Sequence, residues 1–350
     1  MLQEIRQAPG AVARQLAANT AELGTLVARL RDEPPRVAVL VGRGSSDHAA
    51  TFGKYLLETR CGLVTAVAAP SVITMYRARL VWDAALVIAI SQSGESPDVV
   101  ATIEQARAGG GLTVALVNQA ESPLAAAAEV VLPLHAGPEL SIAATKSYIA
   151  SLVALARLVA VWQQDQDLLD KIGRIPEILE VAAELDWEPA WRALTDATNL
   201  LVLARGYSFP IALEAALKMK ETCGLHAEAF SGAEVRHGPI ALVNPDLPVL
   251  VFAPAGPTMD STLALAAELA AGRGTGASER RTKMPGARVF VASPAAAPGV
   301  PTLPVAAPLH PALDPIPLAQ AFYRFAERLA RARGHDPDKP SALSKVTRTL

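Results

Sequence analysis

The chain has 350 residues, of which 51% are hydrophobic and 19% charged, with a formal net charge of −2. This balance is typical of a soluble globular protein with a large core and gives no reason to expect nucleic acid or a membrane as partner. The most apolar stretch, 149–162, is interrupted by Arg157 and is too short to span a bilayer. Without a signal-peptide pattern, and with Cys61 and Cys223 interpreted as isolated buried thiols, a cytoplasmic location is expected.

Short apolar runs alternate with helical stretches through the first half of the chain. Residues 1–33 are predicted to form a helical lead-in, mainly over Ala11–Arg31, and 34–165 a first domain. Its predicted strands are 36–41, 62–68, 84–90, 113–118 and 130–134, and its predicted helices are 48–58, a segment ending at 108, and 145–162. This alternation indicates a parallel sheet with both faces covered by helices.

The second half repeats this plan at one spacing. Gly206 lies 162 residues after Gly44, Gly256 lies 162 after Gly94, and Asp260 lies 162 after Asp98. We interpret this as an internal duplication that gives an α/β fold of two doubly wound parallel-sheet domains, the second over 190–330. The alternative is that any two doubly wound domains look alike. TVALVN matches ARVFVA only if the second copy has about a dozen extra residues, mostly 274–285, predicted to be an exposed loop. The tail, 331–350, is predicted to be irregular.

Hydroxyl groups follow the strands of the first copy. They belong to Ser45, Ser46, Ser91, Ser93 and Ser96, with Thr145 and Ser147 at the start of the next helix. Such loops meet at the carboxyl edge of a parallel sheet, where helix N-termini and hydroxyls can hold a phosphate. A serine before a helix is by itself usually only an N-cap. No nucleotide-binding glycine motif is present, so the pattern favours a phosphomonoester.

The second copy carries acids and bases instead. A helix is predicted over 209–223, and its charged side chains, Glu214, Lys218 and Glu221, fall on one stripe of an otherwise mostly apolar helix. A buried stripe of this kind must be paired or face a cavity. The alternative is a surface helix with ion pairs. His226, Glu228, Glu234 and His237 follow closely, a density that suggests proton-transfer chemistry.

Several motifs together resemble a known family. They are GRGSSDHAA, SQSGESPDVV, AATKSY, the block from ARGYSFPIALEAALKMKE to GAEVRHGP, the start MLQEIRQAP and the terminal LSKV. The chain resembles the tandem sugar-isomerase (SIS, flavodoxin-like) proteins along nearly its whole length. It is most similar to the isomerase half of glucosamine-6-phosphate synthases and to stand-alone glucosamine-6-phosphate deaminases.

The resemblance implies roles for named residues. Ser46, Ser91, Gln92, Ser93 and Ser96 would bind the sugar phosphate. Glu221 would move a proton between C1 and C2 with Lys218 nearby, and His237 of a neighbouring subunit would open the sugar ring. Lys345 would assist ring opening or form a Schiff base. The expected assembly is a homodimer with the site near the interface, without cofactor or metal.

Two departures bear on the expected reaction. The chain begins at the isomerase half and lacks a cysteine at position 2, which favours deamination of a hexosamine 6-phosphate over glutamine-dependent synthesis. Ala144 stands where the synthase-like pattern has a serine, which leaves the identity of the sugar open.

Rival interpretations remain at this stage. They are a fructosamine 6-phosphate deglycase, a non-catalytic sugar-phosphate sensor, a metal hydrolase using Glu234, His237 and His226, and a Ser–His–Asp hydrolase. A sensor needs the serine loops but has no use for Glu221 and Lys345 together. His226 and Glu228 are interpreted as structural neighbours of the site.

Overall fold

The computed structural model describes residues 1–272, 286–340, 344 and 345. These residues fall into two units: a leading unit of residues 3–179 with 344 and 345, and a trailing unit of residues 1–2 and 180–340. Each unit contains one five-stranded sheet. The predicted loop at 274–285 and part of the tail, 341–343 and 346–350, lie outside the described residues.

The leading unit is built on a parallel sheet in the order β2-β1-β3-β4-β5. Its strands are β1 (Val37–Val41), β2 (Thr65–Val67), β3 (Ala85–Ser91), β4 (Leu112–Val117) and β5 (Val130–Pro133). Its helices are α1 (Leu2–Ala17), α2 (Thr20–Asp32), α3 (Ser45–Cys61), α4 (Ser71–Thr74), α5 (Pro97–Ala108), α6 (Pro123–Ala127), α7 (Lys146–Gln163) and α8 (Gln166–Gly173). All seven residues of the central strand β3 are buried, as expected for a strand covered on both faces.

The lead-in is helical, as predicted, but it forms two helices. The first helix begins at Leu2 and continues through Pro9, well before the predicted start at Ala11. The break falls at Asn19, whose φ of 58° lies in the left-handed region. Asparagine tolerates that conformation better than most residues, so the chain can turn there without glycine.

The trailing unit has the equivalent strand order, β10-β9-β8-β6-β7. Its strands are β6 (Asn199–Ala204), β7 (His226–Ser231), β8 (Val249–Phe252), β9 (Val289–Ala292) and β10 (Thr302–Leu303). The remaining helices are α9 (Ile175–Glu184), which contains the boundary between the units, α10 (Glu188–Leu194), α11 (Phe209–Cys223), α12 (Met259–Ala271) and α13 (Pro315–Ala332). None of the helices in the described part of the chain combines the length and apolar character needed to cross a membrane.

Aromatic rings fill the core of the trailing unit between its sheet and α13. Trp187, Phe252, Phe322 and Phe325 pack with ring centroids 5.5–6.1 Å apart. The indole nitrogen of Trp187 donates to the Pro304 carbonyl at 2.8 Å, which satisfies the one polar atom of this large buried side chain.

The two sheets share one topology, in which the second strand of each unit is an edge strand and the first lies beside the third. The prediction of two doubly wound parallel-sheet domains is therefore confirmed. The register agrees as well, because the pairing of Val39 with Val87 recurs as Leu201 with Val249, each 162 residues later. This agreement supports the internal duplication.

Turns and helix ends also recur between the units. Gly44 and Gly206 both have positive φ, at 55° and 63°. Helices α3 and α11 both end in a cysteine followed by a left-handed glycine, Cys61–Gly62 and Cys223–Gly224. Both thiols are free, and burial raises their pKa to about 11, so they are protonated at neutral pH and are not nucleophiles.

Candidate functional site

Two loops of the leading unit meet where its adjacent central strands end. One leads from β1 into α3, where Ser46 is the second residue of the helix, and the other leads from β3 into α5, with Ser96 at the N-cap. Arg43 joins them, since its Nε donates to the fully buried carboxylate of Asp98 at 2.8 Å. Neither N-cap residue, Gly44 or Ser96, makes a side-chain cap hydrogen bond. At the start of α3 the N–H groups of Ser46 and Asp47 donate to backbone carbonyls, and in the first turn of α5 the Val99 N–H donates to the Asp98 carboxylate at 2.8 Å.

The second loop holds its own shape through two serines. The Ser91 hydroxyl accepts from the Gly94 N–H at 2.9 Å, and the Ser93 hydroxyl accepts from the Glu95 N–H at 3.3 Å. Gly94 has φ of 69°, and a Cβ there would lie 2.1 Å from the Ser122 oxygen, so only glycine fits. Because each serine is used as an acceptor, its own hydrogen can be donated to an anion.

A carboxylate that the sequence did not reveal occupies the start of α7. Glu139, whose side chain is fully buried, accepts from the N–H groups of Thr145 at 3.0 Å and Ser147 at 3.1 Å, and from the Ser147 hydroxyl at 2.6 Å. The Thr145 hydroxyl oxygen is buried and has no hydrogen-bond partner among the described residues. The assignment of Thr145 to phosphate binding stays a prediction.

Lys345 lies beside Glu139, near the start of α7. Its ammonium donates to the Ser141 carbonyl at 2.6 Å and lies 3.4 Å from the Glu139 carboxylate, while its side chain keeps 26% of its surface exposed. Lys345 is therefore not a freely solvated charge of the tail. Within the leading unit an amine therefore adjoins the start of α7, held by a buried carboxylate.

The charged stripe of the trailing unit lies on α11, whose bounds agree with the predicted helix. Lys218 is fully buried, with its ammonium 3.4 Å from Glu214 and in an ion pair with Glu221. Glu214 is also buried and accepts from the Tyr323 hydroxyl at 2.9 Å. Glu221 keeps 21% of its side chain exposed and is the most exposed member of the trio. The predicted pairing of the stripe is confirmed, and the surface-helix alternative is wrong.

The carboxylates of Glu214 and Glu221 stabilise the charged form of Lys218. Burial by itself lowers the pKa of this ammonium, but the charges of Glu214 and Glu221 and their hydrogen bonds outweigh burial and hold the pKa above its ordinary value. A raised pKa favours the charged form of Lys218 beside Glu221.

Replacing Lys218 with Met should destabilise the trailing unit strongly. The change leaves the carboxylate of Glu214 buried without its counter-charge, which costs about 3–5 kcal/mol of unfolding free energy. Urea denaturation followed by circular dichroism at neutral pH measures the loss. Lys171→Met is the control, since it removes a more exposed i,i+4 pair with Asp167 and should cost at most about 1 kcal/mol. Equal losses in both variants would contradict this account of the buried trio.

His226 and His237 of the trailing unit are exposed. His237 is exposed on a short 3-10 turn, Glu234–His237, which ends at Gly238. The Nδ1 atom of His226 is 2.9 Å from the side-chain oxygen of Asn199. In the part of the chain that the structure describes, no group of three His, Cys, Asp or Glu residues is arranged to hold a metal ion. The described geometry therefore gives no support to the metal-hydrolase alternative built on His226, Glu234 and His237.

The predicted site residues divide between the units. Ser46, Ser91, Gln92, Ser93, Ser96, Thr145 and Lys345 belong to the leading unit, and Lys218, Glu221 and His237 to the trailing unit. Within their own units, Lys218 contacts Glu221, and Lys345 shares Glu139 with Thr145.

Comparison with known proteins gives the family. A model of the SIS domain matches residues 33–161 and 193–276, one segment in each half of the chain. The chain belongs to the SIS domain family. Curated relatives include the isomerizing glutamine–fructose-6-phosphate aminotransferases of Methanothermobacter thermautotrophicus (34% identical, covering 99% of this chain and 56% of the relative) and Thermus thermophilus (33%, 99% and 58%). The chain thus spans about half the length of these relatives and is homologous to their isomerase half.

Solved SIS structures extend this relationship. A candidate phosphosugar isomerase from Silicibacter pomeroyi DSS-3 is 40% identical, with a TM-score of 0.89 over 97% of this chain and 99% of that one. The C-terminal domain of the glucosamine-fructose-6-phosphate aminotransferase of Francisella tularensis is 26% identical, with a TM-score of 0.84 over 97% and 98%. The chain is thus related to phosphosugar isomerases over nearly all its length.

Proposed function

We propose that this protein isomerises and deaminates a hexosamine 6-phosphate, such as glucosamine 6-phosphate, to a ketohexose 6-phosphate and ammonia. The observation that carries the proposal is the Lys345 ammonium, held against Glu139 in the same unit as the serine loops. Moving a proton between two carbons does not use an amine, whereas release of ammonia through a lysine imine at C2 does.

In this proposal the serine-containing loops of the leading unit bind the phosphate. At the starts of α3 and α5 the donors would be the hydroxyls of Ser46, Ser93 and Ser96, together with Ser91 and Gln92 of the loop after β3. The Thr145 N–H is already taken by Glu139, so Thr145 would contribute only its hydroxyl. Hydroxyl and amide donors suit a phosphomonoester, which must be bound and released in every turnover.

The reaction balances without an added oxidant or reductant. In the open-chain aldehyde, Glu221 removes the proton from C2, and that proton is returned at C1, so that C1 becomes an alcohol and C2 an iminium carbon. The Lys345 amine then displaces ammonia from C2, and water hydrolyses the resulting imine to release the ketose. One water is consumed and one ammonia is released. Lys218 would remain charged beside Glu221 and stabilise the enolate that forms.

His237 is proposed to open the sugar ring from a second copy of the chain in a homodimer. Its exposed position at the end of a surface turn is compatible with serving a neighbouring subunit. The deglycase and sensor alternatives differ from the proposal in their products, because a deglycase releases an amino acid and a sensor releases nothing.

The test is to incubate the protein with glucosamine 6-phosphate, galactosamine 6-phosphate and a fructoselysine 6-phosphate and to measure ammonia, free lysine and ketose phosphate. Ammonia and a ketose phosphate in equal amounts from one of the first two substrates support the proposal. Lysine release from the third substrate alone replaces it with a deglycase. Binding of all three without turnover replaces it with a sensor.

A further inference from the structure

The first turns of α1 have the sequence LQEIRQAP, which is part of the resemblance to the SIS family. The proposed chemistry assigns no role to these residues. Glu4 on this helix is buried, with 5% of its surface exposed. Its carboxylate accepts from two successive backbone N–H groups, those of Leu140 and Ser141, the latter at 3.0 Å. A buried carboxylate therefore holds a loop more than a hundred residues away along the chain.

A second contact ties α1 to the same loop, which we call the 138–141 loop. The Lys146 ammonium donates to the Gln7 side chain at 2.7 Å and to the Pro138 carbonyl at 2.5 Å. Glu4 and Gln7 are three residues apart and so lie on one face of α1. Glu4 of α1 thus holds the end of the loop directly, while Gln7 contacts the lysine that binds the carbonyl at its beginning.

Both acceptors of the Lys345 ammonium are in this loop. They are the Glu139 carboxylate and the Ser141 carbonyl, so the position of the amine follows the position of the loop. Ser141 is held on both sides, its N–H by Glu4 and its carbonyl by Lys345. The side chain of Leu140 is 85% exposed, so packing of that residue does not fix the loop.

We propose that Glu4 is a positioning residue for the Lys345 amine: by fixing the N–H groups of Leu140 and Ser141, it fixes the two acceptors that aim the lysine at the substrate carbon. The inference rests on the proposed function, in which Lys345 forms an imine. It goes beyond that function by giving the amino-terminal helix a part in the chemistry. Misplacing a reacting group by about 1 Å lowers a rate by about 10²-fold, so a loop held less tightly should slow imine formation more than it weakens binding.

The experiment measures imine formation apart from sugar binding and stability. Wild type, Glu4→Ala and Glu4→Gln are incubated with fructose 6-phosphate and borohydride, and the rate of covalent trapping at Lys345 is followed by peptide mass spectrometry. Binding of glucitol 6-phosphate, which has no carbonyl and cannot form an imine, reports on the phosphate loops. Asp314→Ala is the matched control, because this buried carboxylate also accepts from two successive N–H groups, those of Leu309 at 2.7 Å and His310 at 3.0 Å, but in the trailing unit.

Glu4→Ala should trap the sugar about 10- to 100-fold more slowly than wild type, with its Kd for glucitol 6-phosphate within about twofold. Glu4→Gln keeps an acceptor oxygen and should lose less, about 3- to 10-fold, because a neutral acceptor binds N–H groups about half as strongly. Asp314→Ala should lower Tm but trap at the wild-type rate.

The inference would be overturned if both Glu4 variants trapped the sugar at the wild-type rate, or if Asp314→Ala slowed trapping as much as Glu4→Ala does. Either result would leave the proposed function intact. If Glu4→Ala does not fold, Glu4→Gln decides by the same comparison. Failure of the wild-type protein to trap sugar at Lys345 would instead overturn the imine step of the proposed function, and this inference with it.

Discussion

Glu221→Gln is expected to lower ammonia release from the aminosugar phosphate by about 10²–10⁴-fold, the usual contribution of a positioned general base. Glutamine has nearly the same shape as glutamate and keeps an oxygen for Lys218, but it cannot take the proton from C2. Lys218 also retains its contact with Glu214, so the buried charge is not left alone. The loss should therefore appear in kcat, while the affinity for glucitol 6-phosphate stays within about threefold.

A matched control separates the chemistry from the helix ion pair. Glu188 pairs with Arg192 one turn along α10 of the same unit, and this pair is largely exposed. Glu188→Gln should change turnover by less than twofold. Full turnover in Glu221→Gln would remove Glu221 as the base, and an equal loss of sugar binding would indicate that it holds the substrate instead.

Much of the fold follows from patterns that are local along the chain. The bounds predicted for α11 coincide with the observed helix because Pro210 marks its first turn and Gly224 ends it in the left-handed conformation. The recurrence at 162 residues also carried through to the register of the sheets, because a strand shifted by one residue would turn its apolar side chains to the other face.

The length of the lead-in helices could not be predicted in this way. The lead-in was predicted mainly over Ala11–Arg31, yet α1 begins at Leu2, continues through Pro9 and buries Glu4 and Ile5 before it. The break at Asn19 depends on a backbone conformation that composition does not reveal. In both places tertiary contacts outweigh local preference.

The role of Glu139 is the part of the candidate site that could least be predicted from the sequence. A capping carboxylate is recognised by a spacing of about three residues from the first turn of its helix, whereas Glu139 lies six residues before Thr145 and reaches its N–H from the preceding loop. Its partner Lys345 is more than two hundred residues away, and no periodicity links the two. The sequence therefore supplied the reactive groups, and the structure supplied the contact between a buried acid and the tail lysine.

The two copies use one topology for different chemistry. Where the leading unit has Ser91 and Ser93 after its third strand, the trailing unit has Ala253 and Ala255 at the equivalent positions, which cannot donate side-chain hydrogen bonds to an anion. The trailing unit places its polar groups on α11 instead, one turn apart on a buried face. Duplication would thus allow one copy to keep a ligand-binding edge while the other acquired the charged trio of Glu214, Lys218 and Glu221.

Lys345→Arg is expected to lower ammonia release by at least about 10²-fold and to abolish trapping of fructose 6-phosphate by borohydride. The guanidinium keeps the positive charge and can still donate to the Ser141 carbonyl and the Glu139 carboxylate, so both hydrogen-bond partners remain occupied. It stays protonated at any working pH and cannot add to a carbonyl, so only the covalent step is lost.

Lys339→Arg is the control for this last change, because Lys339 is an exposed lysine of the same tail and should tolerate it with no more than a twofold effect. Borohydride should inactivate the Lys339 variant in the presence of the ketose phosphate as it does wild type, and should leave the Lys345 variant unmodified. An Lys345→Arg protein that keeps a third or more of the wild-type rate would show that the cation, and not the imine, is what the reaction uses. Lys345 would then act as a charge that polarises the sugar oxygen, and water alone would release the ammonia.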